Sequence, residues 1–91
     1  AIPVFVDCDA YGLADLELAE KAMEADPAIR YFVPVHLYGH CLDMARMERL
    51  KARFGVVIIE DCAQSIGAAH NGIACGTVGD CTATSFYPTK N

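Results

Sequence analysis

Apolar positions along this chain follow two spacings, one typical of β-strands and one typical of amphipathic helices. Short apolar runs predict strands, whereas apolar residues three and four positions apart predict helices. The run of β-branched residues at 56–61 is the clearest strand pattern, and 2–9 is predicted to be a buried strand that ends near Asp7. The predicted order is strand 2–9, helix 13–25, strand 30–39, helix 42–54, strand 56–61, hairpin 68–75 and strand 81–87.

Residues at the ends and turns of these elements refine the prediction. Ala14 would be a poor N-cap for the first helix, whereas Gly55 is a suitable stop for the second. Pro34 would normally confine its strand to the edge of a sheet, because proline cannot donate to the ladder. The pair Asn71 and Gly72 predicts a type I′ turn within the hairpin.

The order of the elements indicates the fold class. Strand, helix, strand, helix, strand requires crossover connections, which place strands in parallel with helices packed on the sheet. We therefore predict an α/β fold with a mainly parallel sheet and a hairpin near 68–75. No repeat, low-complexity tract or linker interrupts the sequence, so one layered unit fits residues 1–91.

Composition adds the expectation of a larger core and limits the partners. Hydrophobic residues make up 54% of the chain and charged residues 21%, which is rich in apolar side chains for a free-standing domain of 91 residues. The net charge of −5 argues against nucleic-acid or anionic-membrane partners. No apolar run reaches membrane-spanning length, and the first residues given do not have the pattern expected of a signal peptide.

The five cysteines are odd in number and contain no CxxC pair. This usage predicts reduced thiols in a cytoplasmic protein, with neither a disulfide framework nor a metal site. Cys62 is expected to be a small buried residue, because no basic partner lies at a useful spacing to activate it.

Chemically distinctive side chains fall where the predicted parallel strands end. Asp61 closes the strand 56–61 and Gln64 follows it by three residues, while Lys90 comes shortly after the last strand and Ser85 precedes it by five. Ligands of parallel sheets bind beyond the carboxyl ends of the strands. We therefore expect an acid, an amide, a hydroxyl and an amine to converge at one rim.

This set of groups suits one kind of cofactor chemistry. A lysine near an apolar rim loses its proton more easily and can attack a carbonyl to form a Schiff base. A carboxylate beside a heterocyclic nitrogen keeps that nitrogen protonated, as pyridoxal phosphate requires to act as an electron sink. The residues alone leave another interpretation open, in which Asp61 caps the turn 62–65 and Lys90 is an exposed lysine.

Five segments carry a family resemblance. "PVFVDCD", "VPVHLYGH", "VVIIEDCAQSIGA", "GTVGD" and "TSFYPTKN" resemble, in order and spacing, the central part of the large domain of the DegT/DnrJ/EryC1/StrS aminotransferases. The resemblance implies the aspartate aminotransferase fold (PLP fold type I), of which 1–91 would be a partial large domain. It also implies a homodimer that uses pyridoxal 5′-phosphate to move an amino group, typically from glutamate, to a nucleotide-linked keto sugar.

The resemblance also implies roles for the four rim residues. Asp61 matches the acid that pairs with the pyridinium nitrogen, and Gln64 matches the glutamine against the ring and its 3-hydroxyl. Ser85 matches a hydroxyl donor to the phosphate. Lys90 matches the lysine that forms the internal aldimine and then moves the proton between the substrate carbon and the cofactor.

Departures from the family pattern leave alternatives. The upstream phosphate-cradle segment and the C-terminal small domain are not among residues 1–91, so we expect this chain alone to be inactive. A dehydratase branch of the superfamily replaces the lysine with histidine, and Lys90 speaks against it. A non-catalytic α/β binding module is the other alternative.

Three residues of the loop after the second predicted strand have open or minor roles. His36 is expected to anchor the loop rather than to act as an acid or base. Tyr38 and His40 suit either the substrate mouth or a structural role, and His40 stands where the family often has glutamine.

Overall fold

The computed structural model describes residues 1–85 of the chain. No helix in this part is long and apolar enough to cross a membrane. Its elements are α1 (Leu16–Ala25), β1 (Tyr31–Phe32), α2 (Met44–Phe54), β2 (Val57–Asp61), β3 (Ala69–His70), β4 (Ile73–Ala74) and β5 (Cys81–Ala83).

The three strands β1, β2 and β5 form a parallel sheet with β2 in the middle. Tyr31 pairs with Val57 at one side of β2, and Asp61 pairs with Ala83 at the other. Helix α2 makes the crossover from β1 to β2, as the predicted α/β fold requires. The core lies between the helices and the sheet and consists of Leu13, Leu16, Ala19, Met23, Leu42, Met44, Met47, Leu50, Val56, Ile58 and Val78.

Both helices begin at aspartate N-caps, and both begin later than predicted. The Asp15 carboxylate accepts the N–H groups of Glu17 and Leu18, and Asp43 accepts the N–H of Arg46. These bonds satisfy amides that have no partner within the helix. The N-cap of α1 is therefore Asp15, a favourable residue, and not Ala14, which would have been a poor one.

The predicted buried strand at 2–9 is also wrong. Within residues 1–85, Cys8 makes only an isolated bridge to Ala14, and the side chains of Ile2 and Phe5 are 93% and 91% exposed. A strand needs a ladder of hydrogen bonds to a neighbour, whereas within residues 1–85 the Asp7 carbonyl accepts the N–H of Asp15 beside this isolated bridge and no ladder continues toward residue 2. The Asp9 carboxylate instead folds the following residues into a turn.

The second predicted strand, 30–39, shortens to β1 because of Pro34. Proline has no N–H to continue the ladder, although its carbonyl still accepts the N–H of Asp61. A single parallel bridge between Val35 and Asp61 resumes the pairing. As predicted, β1 lies at an edge of the sheet among the described residues.

The predicted hairpin is confirmed. β3 and β4 pair antiparallel, and Asn71 and Gly72 between them both have positive φ, at 49° and 81°. A type I′ turn requires this conformation at both central residues. The last predicted strand, 81–87, is observed as β5; positions 86 and 87 lie outside the described residues.

Glu60 on β2 is fully buried and joins the sheet to the loop 76–79 that precedes β5. One carboxylate oxygen accepts the N–H of Gly76 at 2.8 Å, and the other accepts those of Val78 and Gly79 at 3.0 and 2.6 Å. A Cβ at residue 79 would lie 3.0 Å from Glu60 Cγ and Oε2, so any side chain at this position would crowd the buried carboxylate and glycine suits the close approach. The contacts with Glu60 therefore give a structural reason for Gly79 in the "GTVGD" segment and hold the backbone at Gly76 in place.

His36, in the loop after β1, completes the surroundings of Glu60. Its Nε2 lies 2.8 Å from Glu60 Oε1, and its Nδ1 accepts the N–H of Leu42 at 3.1 Å. Because Nδ1 is an acceptor, the ring proton sits on Nε2 and is donated to Glu60. His36 is therefore the loop anchor that the sequence predicted.

The hydrogen bonds to Glu60 also determine its charge. Burial disfavours the carboxylate, but the bonds from the Gly79 and Gly76 amides and from His36 outweigh burial. Together they hold the pKa of Glu60 below its ordinary value.

Asp80 aligns the start of β5 with β2 and α2. Its backbone N–H donates to the Ile58 carbonyl, and its carboxylate accepts the Ile58 N–H at 2.9 Å and contacts Lys51 Nζ at 3.0 Å. The bond from Ile58 and the Lys51 ammonium hold the pKa of Asp80 below its ordinary value. This side chain therefore sets the position of the strand that leads to Ser85.

Replacing Glu60 with glutamine is expected to destabilise the full-length protein by about 2–4 kcal/mol at neutral pH. In glutamine an NH₂ group replaces one of the two carboxylate oxygens. This NH₂ group cannot accept the backbone N–H bonds that the oxygen accepted. Because the pKa of Glu60 is lowered on folding, its charge stabilises the fold above the ordinary carboxyl pKa and loses this effect as the pH falls through the lowered pKa. The difference between wild type and Glu60→Gln should therefore shrink in acid.

Denaturant unfolding across a pH series measures this difference. Glu48→Gln is the matched control, because Glu48 is exposed and should change the unfolding free energy by less than about 0.5 kcal/mol. Equal effects of the two substitutions would contradict the role given to Glu60.

Candidate functional site

Two of the predicted site residues lie at, or just beyond, the carboxyl ends of the neighbouring strands β2 and β5. Asp61 is the last residue of β2 and pairs in register with Ala83, and the half-buried Ser85 follows Ala83 by two residues. Lys90 lies outside the described residues. The structure therefore places an acid and a hydroxyl at adjacent strand ends.

Both backbone polar groups of Asp61 bond to the segment 34–36 that follows β1. Its N–H donates to the Pro34 carbonyl, and its own carbonyl accepts the N–H of His36. The side chain is half-buried, and Oδ1 accepts the N–H of Ala63 at 3.0 Å. Asp61 thus caps the turn after β2 with one oxygen, while no hydrogen bond from residues 1–85 reaches Oδ2.

Gln64 lies in the turn that follows Asp61. The Ser65 N–H donates to the Cys62 carbonyl and closes this turn. The Gln64 side chain extends to the loop after β1, where Oε1 accepts the backbone N–H of Tyr38 at 3.1 Å. The structure therefore places Gln64 between the ends of two strands.

Ser65 is a structural residue that the sequence did not reveal. It is fully buried, and its hydroxyl lies within hydrogen-bonding distance of the carbonyl oxygens of His36 and His40. This contact holds the loop 36–40 against the turn 62–65. A single serine beside the "EDCAQ" segment carries no sequence signal for such a contact.

The structure gives backbone roles to the two loop residues that the sequence left open. Tyr38 contacts Gln64 through its N–H, while its side chain is 73% exposed. The His40 N–H donates to the Leu37 carbonyl at 2.9 Å, and its own carbonyl faces Ser65.

A cluster of possible metal ligands lies behind the rim. The cluster consists of three buried residues, His36, Glu60 and Cys62. Each offers one possible ligand atom, and these three atoms lie within 4.8 Å of one another. Both ring nitrogens of His36 and both oxygens of Glu60 already have hydrogen-bond partners, so these groups serve the fold.

Cys62 is buried beside this cluster, as predicted. Burial raises its pKa to about 12, and the neighbouring Cys75 and Glu60 add to the rise. The thiol therefore stays protonated at neutral pH and is a poor nucleophile.

Known proteins match the whole of this chain. The model of the DegT/DnrJ/EryC1/StrS aminotransferase family matches residues 1–91. A dTDP-3-amino-3,4,6-trideoxy-alpha-D-glucose transaminase from Micromonospora megalomicea subsp. nigra is 48% identical over 91 residues, which are 99% of this chain and 24% of that protein. A UDP-N-acetyl-3-dehydro-alpha-D-glucosamine 3-aminotransferase from Acidithiobacillus ferrooxidans is 43% identical over 95 residues, which span 100% of this chain and 24% of the relative.

The solved structures agree with the sequence comparison. The crystal structure of a DegT DnrJ EryC1 StrS aminotransferase from Brucella abortus superposes with a TM-score of 0.88 at 38% identity, covering 99% of this chain and 26% of that one. The match confirms the predicted α/β fold of the PLP type I aminotransferases. The chain spans about a quarter of the length of these relatives and belongs to the DegT/DnrJ/EryC1/StrS aminotransferase family.

Proposed function

We propose that residues 1–91 form the cofactor-binding part of a pyridoxal-phosphate-dependent aminotransferase that acts on a nucleotide-linked keto sugar. Family membership supports the reaction type, and the names of the two relatives above support the substrate class. The observation that carries the proposal is the Asp61 carboxylate at the end of the central strand, beside the strand that leads to Ser85 and Lys90.

Asp61 suits the pyridine nitrogen of this cofactor. Its Oδ1 is used by the turn, and its Oδ2 accepts no hydrogen bond from residues 1–85, so the carboxylate has an acceptor for a pyridinium N–H. The backbone bonds to Pro34 and His36, in the segment after β1, fix the backbone from which the side chain extends. When bound, pyridoxal phosphate supplies an electron sink for the substrate carbon, and a carboxylate at its ring nitrogen keeps that nitrogen protonated.

The other rim residues complete the proposed site. Ser85 provides a hydroxyl donor for the phosphate, and Gln64 provides a carboxamide for the 3-oxygen of the ring. Lys90 would hold the cofactor through its amine, which condenses with the aldehyde and releases water. Once the amine of the amino donor has displaced it, the freed Lys90 amine would move the proton at the substrate carbon. Further phosphate donors and the substrate-binding loops would come from other parts of the protein, so we expect the isolated chain to be inactive.

Lys90→Ala in the full-length protein is expected to abolish both the absorbance band of the lysine-bound cofactor and amino transfer, because alanine cannot form the covalent bond. Absorbance spectra and a transamination assay measure these losses. Lys21→Ala is the control, since Lys21 is an exposed lysine that pairs only with Glu17 on the same helix among the described residues. A Lys90→Ala variant that keeps the band and transfers amino groups would refute the assignment and reopen the non-catalytic alternative.

Glutamate is the proposed amino donor. Incubation of the full-length protein with ¹⁵N-glutamate and a nucleotide-linked keto sugar should place the label on the sugar, as detected by mass spectrometry. Label transfer from another amino acid and not from glutamate would refute the donor while leaving the reaction type intact.

A homodimer with active sites at the subunit boundary is the proposed assembly, because the rim residues of this chain supply only part of a cofactor site. Sedimentation equilibrium of the full-length protein is expected to give twice the monomer mass. A fully active monomer would contradict this assembly.

A further inference from the structure

The backbone at Tyr38 adopts a conformation that tyrosine rarely takes. Its φ is 57°, and the next residue, Gly39, has a φ of 75°. Left-handed backbone is unfavourable for residues with a large side chain and is maintained only where the surroundings impose it. Asn71 in the hairpin turn is the other non-glycine residue with positive φ among residues 1–85.

Buried contacts on both sides impose this conformation. We call Tyr38 and Gly39 the left-handed corner. His36, which precedes this corner, is hydrogen-bonded to Glu60 and to the N–H of Leu42. The Ser65 hydroxyl lies against the carbonyls of His36 and His40, which flank the corner. The loop is therefore fixed against the turn that carries Gln64, and the left-handed corner directs the Tyr38 N–H to Gln64 Oε1 at 3.1 Å.

This bond determines which end of the Gln64 side chain can serve a ligand. A carboxamide has one acceptor oxygen and one nitrogen that only donates. Because the oxygen accepts the backbone N–H of Tyr38, this bond fixes which way the carboxamide faces. The nitrogen carries two N–H groups, so it is the end of the side chain that can donate to an acceptor on a ligand. An ionised phenolic oxygen on the cofactor ring is such an acceptor.

We propose that Tyr38 is a positioning residue whose left-handed backbone N–H orients the Gln64 carboxamide, so that Gln64 donates from Nε2 to the 3-oxygen of the bound cofactor. This inference rests on the proposed function. The Tyr38 phenol is not required, because its side chain is 73% exposed and the contact is made by the main chain.

Substitutions at Tyr38 separate backbone from side chain. Tyr38→Gly removes the ring but keeps both the N–H and easy access to positive φ, so the Kd for pyridoxal phosphate should change by less than about twofold. Tyr38→Val keeps the N–H but disfavours positive φ, so the Kd should rise about tenfold. The full-length apoprotein is titrated with pyridoxal phosphate, and binding is followed by fluorescence quenching.

A coupling experiment tests whether the effect passes through Gln64. In a Gln64→Ala background, Tyr38→Val should have little further effect on the Kd, because the oriented group is absent. Asn71→Val is the matched control, since it introduces the same backbone strain in the hairpin, and it should leave the Kd unchanged. Where Tyr38→Val does not fold, Tyr38→Ala takes its place with a smaller rise in Kd.

Hydrogen exchange gives a readout without the cofactor. In the apoprotein, Gln64→Ala should increase the exchange rate of the Tyr38 amide and leave that of the Asn71 amide unchanged. A Tyr38 amide that is unaffected would overturn the inference.

The outcomes also separate this inference from the proposed function. Equal Kd values for wild type and Tyr38→Val, or equal losses for Tyr38→Gly and Tyr38→Val, would overturn the positioning role while cofactor binding stands. A wild-type protein that binds no pyridoxal phosphate would overturn both.

Discussion

The rim depends on one buried charge. Glu60 accepts hydrogen bonds from three backbone amides of the loop 76–79 and from His36, and these elements lie on opposite sides of β2. A buried carboxylate is tolerated only when such bonds replace its lost hydration. The requirement to satisfy Glu60 therefore fixes the entrance to β5 and the exit of β1 relative to the strand that ends at Asp61.

Polar contacts of this kind position loops more strictly than apolar packing does. Apolar contacts vary smoothly with distance, whereas hydrogen bonds weaken steeply when their angle is wrong. Ser65 and His36 hold the loop 36–40, and Asp80 holds the start of β5 by similar bonds. A cofactor site needs its donors and acceptors fixed in this way, because misplaced groups lose most of their interaction with the ligand.

The sequence predicted the features that depend on neighbouring residues and on recognisable motifs. The central strand, the turn at Asn71 and Gly72 and the family-specific segments have local signals. The N-cap at Asp15 was missed because Leu13 fits the helical spacing although it is buried just before the helix. The bonds of Glu60 and Ser65 join residues far apart in the chain, and no local pattern announces them.

The contact between Tyr38 and Gln64 shows why part of a site has no signature in residue types. The donor is a main-chain N–H, which every residue except proline possesses, so the side chain at 38 carries no direct information about it. What the contact requires is a left-handed corner, and Gly39 together with the buried bonds of His36 and Ser65 maintains it. The buried hydrogen bonds of His36 and Ser65 thus offset the backbone strain at Tyr38. The stability of this part of the fold is therefore coupled to the orientation of the Gln64 side chain, the proposed ligand-binding group.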